Sequence, residues 1–137
     1  MKAYLTRRYA FPASHRLHSD GLSPAENAAV YGKCNNPFGH GHNYALEVTV
    51  SGPIDPQTGM VCNLSDLDGF VRKQVLDLFD HSDLNSLPAF SDRVPTTENL
   101  CLEIFGILKN NFRAAEVERI RLEETRKNSF EFGNVRL

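Results

Sequence analysis

The chain has 137 residues, with 15 Lys and Arg against 17 Asp and Glu, and a formal net charge of −2. This length predicts a single domain, residues 1–137, that can bury a core without disulfides or a structural metal. The nearly balanced charge, with no run of basic residues, argues against nucleic acid or a membrane surface as partner. A small-molecule partner is therefore expected.

The N-terminus and the cysteines predict a cytoplasmic protein. Residues 1–8 lack the apolar segment of a signal peptide. No apolar run approaches the roughly 18–20 residues that span a bilayer. Cys34, Cys62 and Cys101 are odd in number and widely spaced, which argues against a disulfide framework. Cys62 and Cys101 fall within apolar runs, so both are predicted to be small buried side chains.

Periodicity of two predicts the strands of the first half of the chain. Residues 4–11 predict a first strand, although their aromatic side chains fall on both parities. Alternation over residues 43–51 predicts a second strand that ends at Gly52-Pro53, with an inward row of Tyr44, Leu46, Val48 and Val50. After a segment rich in turn residues, Met60-Val61-Cys62 predicts a further short strand.

Two helices and a hairpin are predicted in the second half. Apolar residues from Leu64 to Leu78 recur at helical spacing, with Ser65 and nearby acids as a capped first turn. A second helix begins near Thr96-Thr97-Glu98 and ends around Asn110-Asn111. Residues 117–124 and 129–136 predict a terminal hairpin. The resulting fold class is α+β, an antiparallel sheet with two helices packed on one face.

Histidines at the start of the second strand suggest a metal site. His40 and His42 are two residues apart, so an extended backbone projects both imidazoles from one face, about 6–7 Å apart at the Cα atoms. Antiparallel pairing would bring His15 beside them, and three histidines without a fourth protein ligand are typical of catalytic zinc. An ordinary pair of half-buried histidines is the alternative. His18, on a polar loop, is predicted to be solvated.

Cys34 lies in a turn-forming stretch just before His40, where a thiol is expected to be exposed. Lys33 beside it and a nearby metal would both favour the thiolate, the form that acts as nucleophile, base or ligand. An inert loop thiol and a fourth zinc ligand are two other interpretations, and the spacing leaves all three open.

Two further positions offer acid–base or binding groups. Asp80 could orient His81 or stabilise its charge, although a turn or cap is an equally good explanation of the pair. Glu124 continues the inward row of Ile120 and Leu122, where a buried carboxylate needs a partner. A ligand with a guanidine-like pair of donors would be one, and a protein arginine would be another.

Six blocks of the sequence together resemble one enzyme family. The blocks are Phe11-Pro12-Ala13-Ser14-His15-Arg16-Leu17, Gly32-Lys33-Cys34-Asn35-Asn36-Pro37-Phe38-Gly39-His40-Gly41-His42-Asn43-Tyr44, Leu64-Ser65-Asp66-Leu67, Asp80-His81, Pro95-Thr96-Thr97-Glu98-Asn99 and Glu124-Thr125. Their order is that of the 6-pyruvoyltetrahydropterin synthases. The resemblance runs from about Tyr9 to Phe132, and the blocks are specific as a set.

The resemblance implies the tunnelling fold (T-fold), whose subunits build a barrel by oligomerisation, usually a homohexamer of two stacked trimers with active sites between subunits. The implied reaction converts 7,8-dihydroneopterin triphosphate to 6-pyruvoyltetrahydropterin with release of triphosphate, a carbon-oxygen lyase step of tetrahydrobiopterin biosynthesis. The implied site has zinc on His15, His40 and His42, proton transfer by Cys34, Asp80 and His81, a pterin anchor at Glu124, and Thr96 and Thr97 lining the pterin pocket.

Two features distinguish this sequence within the resemblance. Arg126-Lys127-Asn128 stands where the family often has an acidic or amide-rich turn, so either basic residue could contact the triphosphate. The 6-carboxytetrahydropterin synthases of the queuosine route share the metal, cysteine and Asp-His features and take the same substrate, so their product is an alternative. The segment from Cys34 to His42 favours the pyruvoyl branch. A non-catalytic pterin- or purine-binding module, in which zinc only organises the fold, is a further hypothesis.

Overall fold

A five-stranded sheet with helices packed on one face forms the molecule. The computed structural model describes residues 1–133. The sheet order is β3-β1-β2-β4-β5. The strands are β1 (Ala3–His15), β2 (His40–Gly52), β3 (Ser82–Asp83), β4 (Glu116–Thr125) and β5 (Asn128–Gly133). The α+β prediction is confirmed, but the sheet is mixed rather than antiparallel, because the short β3 pairs parallel to β1.

Four α-helices are present in the described part of the chain. They are α1 (Pro24–Tyr31), α2 (Leu64–Val71), α3 (Asp77–Phe79) and α4 (Thr97–Asn111). The first predicted helix is confirmed as α2 and α3, joined by a π-helical turn at Arg72–Leu76. Its cap is Asn63 rather than Ser65, because the Asn63 side chain accepts the Ser65 N–H at 2.8 Å. The bounds predicted for the second helix match α4.

Helix α1 was not predicted, although the sequence carries a signal for it. Ser23 and Glu26 form a capping box, in which each side chain accepts a backbone N–H of the other, and Pro24 occupies the first turn. The buried residue of this short helix is Asn27, a polar one. Apolar periodicity therefore does not mark α1, since the helix contributes no apolar side chain to the core.

The core lies between the inner face of the sheet and helices α2 and α4. Tyr44, Leu46, Val48 and Val50 of β2 are fully buried, as their parity predicts. On the opposite face, Glu47 accepts from Arg8 of β1 at 3.4 Å and from Arg121 of β4 at 2.7 Å. One side of the sheet is thus apolar and the other is a ladder of alternating charges.

Two local predictions need correction. Residues 60–62 form no strand, because Gly59, at φ 73°, closes a turn through its N–H to the Asp55 carbonyl at 2.7 Å. Cys62 is half-buried, whereas Cys101 is buried as predicted and burial raises its pKa to about 12. The predicted hairpin is confirmed as far as Gly133. Residues 134–136 of that prediction lie outside the described part.

Candidate metal centre

Strand pairing assembles three imidazoles at one end of the sheet. His15, the last residue of β1, pairs directly with His40, the first residue of β2, and Ala13 pairs with His42. The ring centroids of His15, His40 and His42 lie 4.7–5.1 Å apart. The nitrogen atoms available as ligands all lie within 4.8 Å of one another. The three histidines that the sequence singles out therefore converge as predicted.

The hydrogen bonding of His15 leaves a lone pair on Nε2, the ring nitrogen that lies toward the other two histidines. Its ring is 1% exposed and hydrogen-bonds the Pro95 carbonyl through Nδ1 at 2.8 Å. Because Nδ1 carries the proton in that bond, Nε2 is left as an acceptor. Nε2 lies 3.2 Å from His40 Nε2. Burial lowers the pKa of His15, so the neutral ring that a metal requires is the favoured form.

A divalent metal fits the donor atoms present. His42 Nε2 is buried and has no hydrogen-bond partner among residues 1–133, and leaving such an atom without a partner costs about 1–3 kcal/mol. Burial also lowers the pKa of His42. Three imidazole nitrogens, with Cys34 outside the group, would leave a coordination position of a tetrahedral ion open for another ligand. The site could therefore bind a metal through three histidines.

Cys34 lies beside the three histidines. A cavity of about 560 Å³ is lined by Cys34, Lys33, Asn36, His40 and His42. The thiol is half-buried, although exposure was expected. Burial, followed by the Glu124 carboxylate, raises the pKa of Cys34. Lys33 is exposed, and its expected effect on the Cys34 thiol stays a prediction.

Glu124 faces the same centre and is held by a neighbour on α4. Its Oε1 lies 3.7 Å from His42 Nε2, and its Oε2 accepts a hydrogen bond from the Thr97 hydroxyl. Thr97 is buried, and therefore orients the carboxylate. The Thr96 hydroxyl instead caps α4 by accepting the Asn99 N–H at 3.1 Å. Of the two threonines implied by the resemblance, Thr97 carries the link to Glu124.

Tyr44 belongs to the site as well as to the core, which the sequence did not indicate. Its hydroxyl lies 3.5 Å from His15 Nδ1 and interacts with Thr97. Burial and then the Glu124 carboxylate raise the pKa of Tyr44, so the hydroxyl stays protonated. The sequence feature that could have indicated this role is that Tyr44 shares a strand face with His40 and His42. From the sequence alone, an aromatic residue at an inward position is interpreted as a core residue. The tertiary structure shows that polar groups lie around the Tyr44 hydroxyl.

Asp80 and His81 form a pair that lies beside β1, just before the edge strand β3. His81 Nδ1 lies 2.9 Å from Asp80 Oδ1, and the His81 side chain is 78% exposed. His81 lines a cavity of about 550 Å³ with residues of both parities from β1 and β2, namely Pro12, Ala13, Ser14, Gly41, His42 and Asn43. Cys34 is not among the residues that line it. Within one chain, therefore, the described structure does not bring this pair to Cys34.

The remaining polar candidates lie on loops near the site. His18 is half-buried rather than solvated, because its Nδ1 accepts from Asn35 Nδ2 at 3.2 Å. Arg126 and Lys127 occupy the exposed turn between β4 and β5. Their contact with a triphosphate stays a prediction. No helix among residues 1–133 is long and apolar enough to cross a membrane.

The mixed sheet and the three-histidine centre place the chain in a class of α+β proteins with a candidate metal site at one end of the sheet. Residues 4–134 match the family described as 6-pyruvoyl tetrahydropterin synthase. The chain belongs to this family, which confirms the resemblance found in the sequence.

Individual relatives agree with this assignment. The chain is 51% identical over 126 residues to a Poecilia reticulata protein named 6-pyruvoyl tetrahydrobiopterin synthase, covering 91% of this chain and 86% of that one. The solved structure of the Caenorhabditis elegans 6-pyruvoyl tetrahydropterin synthase is similar with a TM-score of 0.92 and 39% identity, covering 97% and 96% of the two chains. An Archaeoglobus fulgidus protein named putative 6-carboxy-5,6,7,8-tetrahydropterin synthase is 36% identical over 106 residues, 77% of this chain and 84% of that one.

Gly39 should control the distance between His15 and His40. Its φ is 72°, and a Cβ there would lie 3.0 Å from the His15 carbonyl oxygen. We expect Gly39→Ala to weaken the affinity for Zn²⁺, used as the probe metal, about tenfold or more, because backbone strain of about 1–2 kcal/mol would move His15 and His40 apart. Competitive titration with a zinc chelator measures the effect.

Gly41→Ala is the matched control for this experiment. A Cβ at Gly41 would lie 3.6 Å from the Ala13 carbonyl oxygen, an ordinary contact. Equal zinc affinity in the two variants would show that the approach of Gly39 to His15 does not set the geometry of the centre.

Proposed function

We propose that this protein is a zinc-dependent lyase that converts 7,8-dihydroneopterin triphosphate to 6-pyruvoyltetrahydropterin and triphosphate. The observation that carries the proposal is the cavity shared by Cys34, His40 and His42, in which an ionisable sulfur faces a metal-binding centre. Membership in the family supports the same reaction. Zinc is proposed because three histidines and an open position are typical of its catalytic sites.

Proton transfer in this reaction is assigned to three residues. When bound, zinc supplies Lewis-acid polarisation of the substrate's side-chain oxygens and a positive charge that favours the Cys34 thiolate. Cys34 removes a proton from the side-chain carbon next to the ring. His81, supported by Asp80, moves protons to and from the second side-chain carbon. Triphosphate leaves, and oxidation and reduction stay within one molecule, so no nicotinamide is required.

A complete site would need a second copy of the chain. Because His81 and Cys34 line different cavities of one chain, a neighbouring subunit is the source we propose for the Asp80–His81 pair that serves Cys34. This supports an assembly with sites between subunits, and the homohexamer of two trimers stays a prediction. The cytoplasmic location likewise rests on the sequence.

Glu124 is proposed as the pterin anchor. Its side chain is 15% exposed, and the Thr97 hydroxyl holds one oxygen. A half-buried carboxylate gains most from two parallel donors, and the guanidine-like edge of a pterin offers such a pair. The protein-arginine alternative is not supported, because no arginine among residues 1–133 makes an ion pair with Glu124.

Product analysis tests the proposal against its two alternatives. Because the chain is also similar to the Archaeoglobus fulgidus relative, formation of 6-carboxytetrahydropterin is the second candidate reaction. We expect the zinc-loaded protein to form 6-pyruvoyltetrahydropterin from 7,8-dihydroneopterin triphosphate, identified by its mass. The mass of the carboxy compound would establish the second candidate, and the absence of any product would favour a pterin-binding module.

Cys34→Ala should abolish triphosphate release while zinc content and oligomeric state are retained, because the thiolate is the proposed base and not a metal ligand. Phosphate analysis of the reaction and elemental analysis of the protein measure the two properties. Cys62→Ala is the matched control, since Cys62 is also half-buried but lies away from the histidines. Full turnover by Cys34→Ala would refute the assigned base.

Glu124→Gln should weaken pterin binding by about tenfold to a hundredfold, because a charge-assisted pair of hydrogen bonds is worth about 1.5–3 kcal/mol. Zinc content should be unchanged. Binding of a pterin to the zinc-loaded protein can be followed by calorimetry. Glu123→Gln is the matched control, since Glu123 is the adjacent residue and instead lies 3.8 Å from Arg121 on the charged face. Equal affinities in the two variants would remove Glu124 as the anchor.

A further inference from the structure

Polar contacts hold the segment between β1 and β2 in place. This segment carries Cys34 and joins His15 to His40. Its helix α1 buries Asn27, whose amide contacts the backbone of Ser19, Leu22 and Ser23. Loops with little apolar packing open more easily than the core does. The position of Cys34 therefore depends on specific hydrogen bonds.

A set of four hydrogen bonds joins the two ends of this segment. The Leu17 N–H donates to the Cys34 carbonyl at 2.8 Å, and the Asn35 side-chain amide donates to the Leu17 carbonyl at 2.8 Å. Arg16 Nε donates to the Asn35 carbonyl at 3.2 Å, and the Asn35 amide also reaches His18 Nδ1 at 3.2 Å. We call these four bonds the loop clasp.

Few residues separate the loop clasp from Cys34 on one side and from His15 on the other. Leu17 is two residues after His15, and Asn35 is the residue after Cys34. Asn85 fixes the intervening residue, because its side chain accepts the Arg16 N–H at 2.7 Å and donates to the Arg16 carbonyl at 2.9 Å. The residues that hydrogen-bond the Cys34 segment are therefore held in place directly after the end of β1.

We propose that Asn35 is a positioning residue, whose side-chain amide holds the Cys34 thiol at a fixed place beside the three histidines. This inference rests on the proposed function in assigning Cys34 as the base. Asn35 is suited to the task because a single amide donates to two residues of the opposite end of the loop. An aspartate has the same shape but cannot donate, and would face the Leu17 carbonyl with a second acceptor.

The test replaces the amide by two groups that lack the donor, in Asn35→Asp and Asn35→Ala. With the zinc-loaded full-length chain, we expect kcat for triphosphate release to fall about tenfold to a hundredfold, since a displacement near 1 Å has an effect of that size. KM should stay within about twofold, because the pterin anchor is untouched. Zinc content and unfolding temperature should remain those of the native protein.

Asn111→Asp is the matched control variant. The Asn111 amide also donates to a backbone carbonyl, that of Ile107 at 2.7 Å, but at the exposed C-terminal end of α4. We expect its kcat to equal that of the native protein. If Asn35→Asp and Asn35→Ala keep kcat within about twofold of the native value, the positioning role is overturned and the proposed function stands.

Alkylation by iodoacetamide tests the position of the thiol without relying on activity. Peptide mass spectrometry gives the rates at Cys34 and at Cys62 in the same zinc-loaded sample. We expect the Cys34 to Cys62 ratio to rise at least about threefold in both Asn35 variants, because loss of the two side-chain bonds of Asn35 loosens the loop clasp and exposes the Cys34 sulfur. The ratio in Asn111→Asp should be that of the native protein.

The two readouts separate the proposals. A native-like ratio in either Asn35 variant would overturn the positioning role. If the native protein releases no triphosphate, the proposed function fails, and the alkylation ratio still decides whether Asn35 holds Cys34.

Discussion

The antiparallel pairing of His15 with His40 is the constraint on which the site depends. It places residues distant in the sequence at the same end of the sheet, and parity adds His42 two residues along. A slip of one residue would turn every side chain of a strand to the other face. The fully buried row Tyr44, Leu46, Val48 and Val50 prevents that slip, because its four side chains would move out of the core. The core therefore fixes the geometry of the candidate metal centre.

Burial gives the centre its electrostatic character. It lowers the pKa of His15 and of His42, which favours neutral rings with available lone pairs. It raises the pKa of Cys34, and the Glu124 carboxylate adds to that effect. In a site of low polarity, a cation would be stabilised by Glu124 and would in turn favour the thiolate. The arrangement is consistent with a centre that becomes reactive when a metal is bound.

The elements around the centre differ in how they are held. The strands and α4 pack through apolar side chains, whereas the segment that carries Cys34 is fastened by the loop clasp and by Asn27. The Asp80–His81 pair is held differently again. His81 has φ 56°, and its N–H donates to the Pro12 carbonyl at 2.7 Å, which fixes the pair beside β1. Rigid strands thus hold the histidines, while loops present the groups proposed for proton transfer.

The sequence by itself determined the features that depend on local periodicity and on motifs: the strand with His40 and His42 on its inner face, the two long helices, and the family. These follow from neighbours a few residues apart, whose side chains report directly on their own element. It did not predict β3, which exists only by pairing with β1, or α1, which lacks an apolar face. Only the tertiary structure decided that Thr97 contacts both Glu124 and Tyr44, and that His81 and Cys34 line different cavities. Those relations join distant parts of the chain, and they depend on strand register and helix packing rather than on any local pattern.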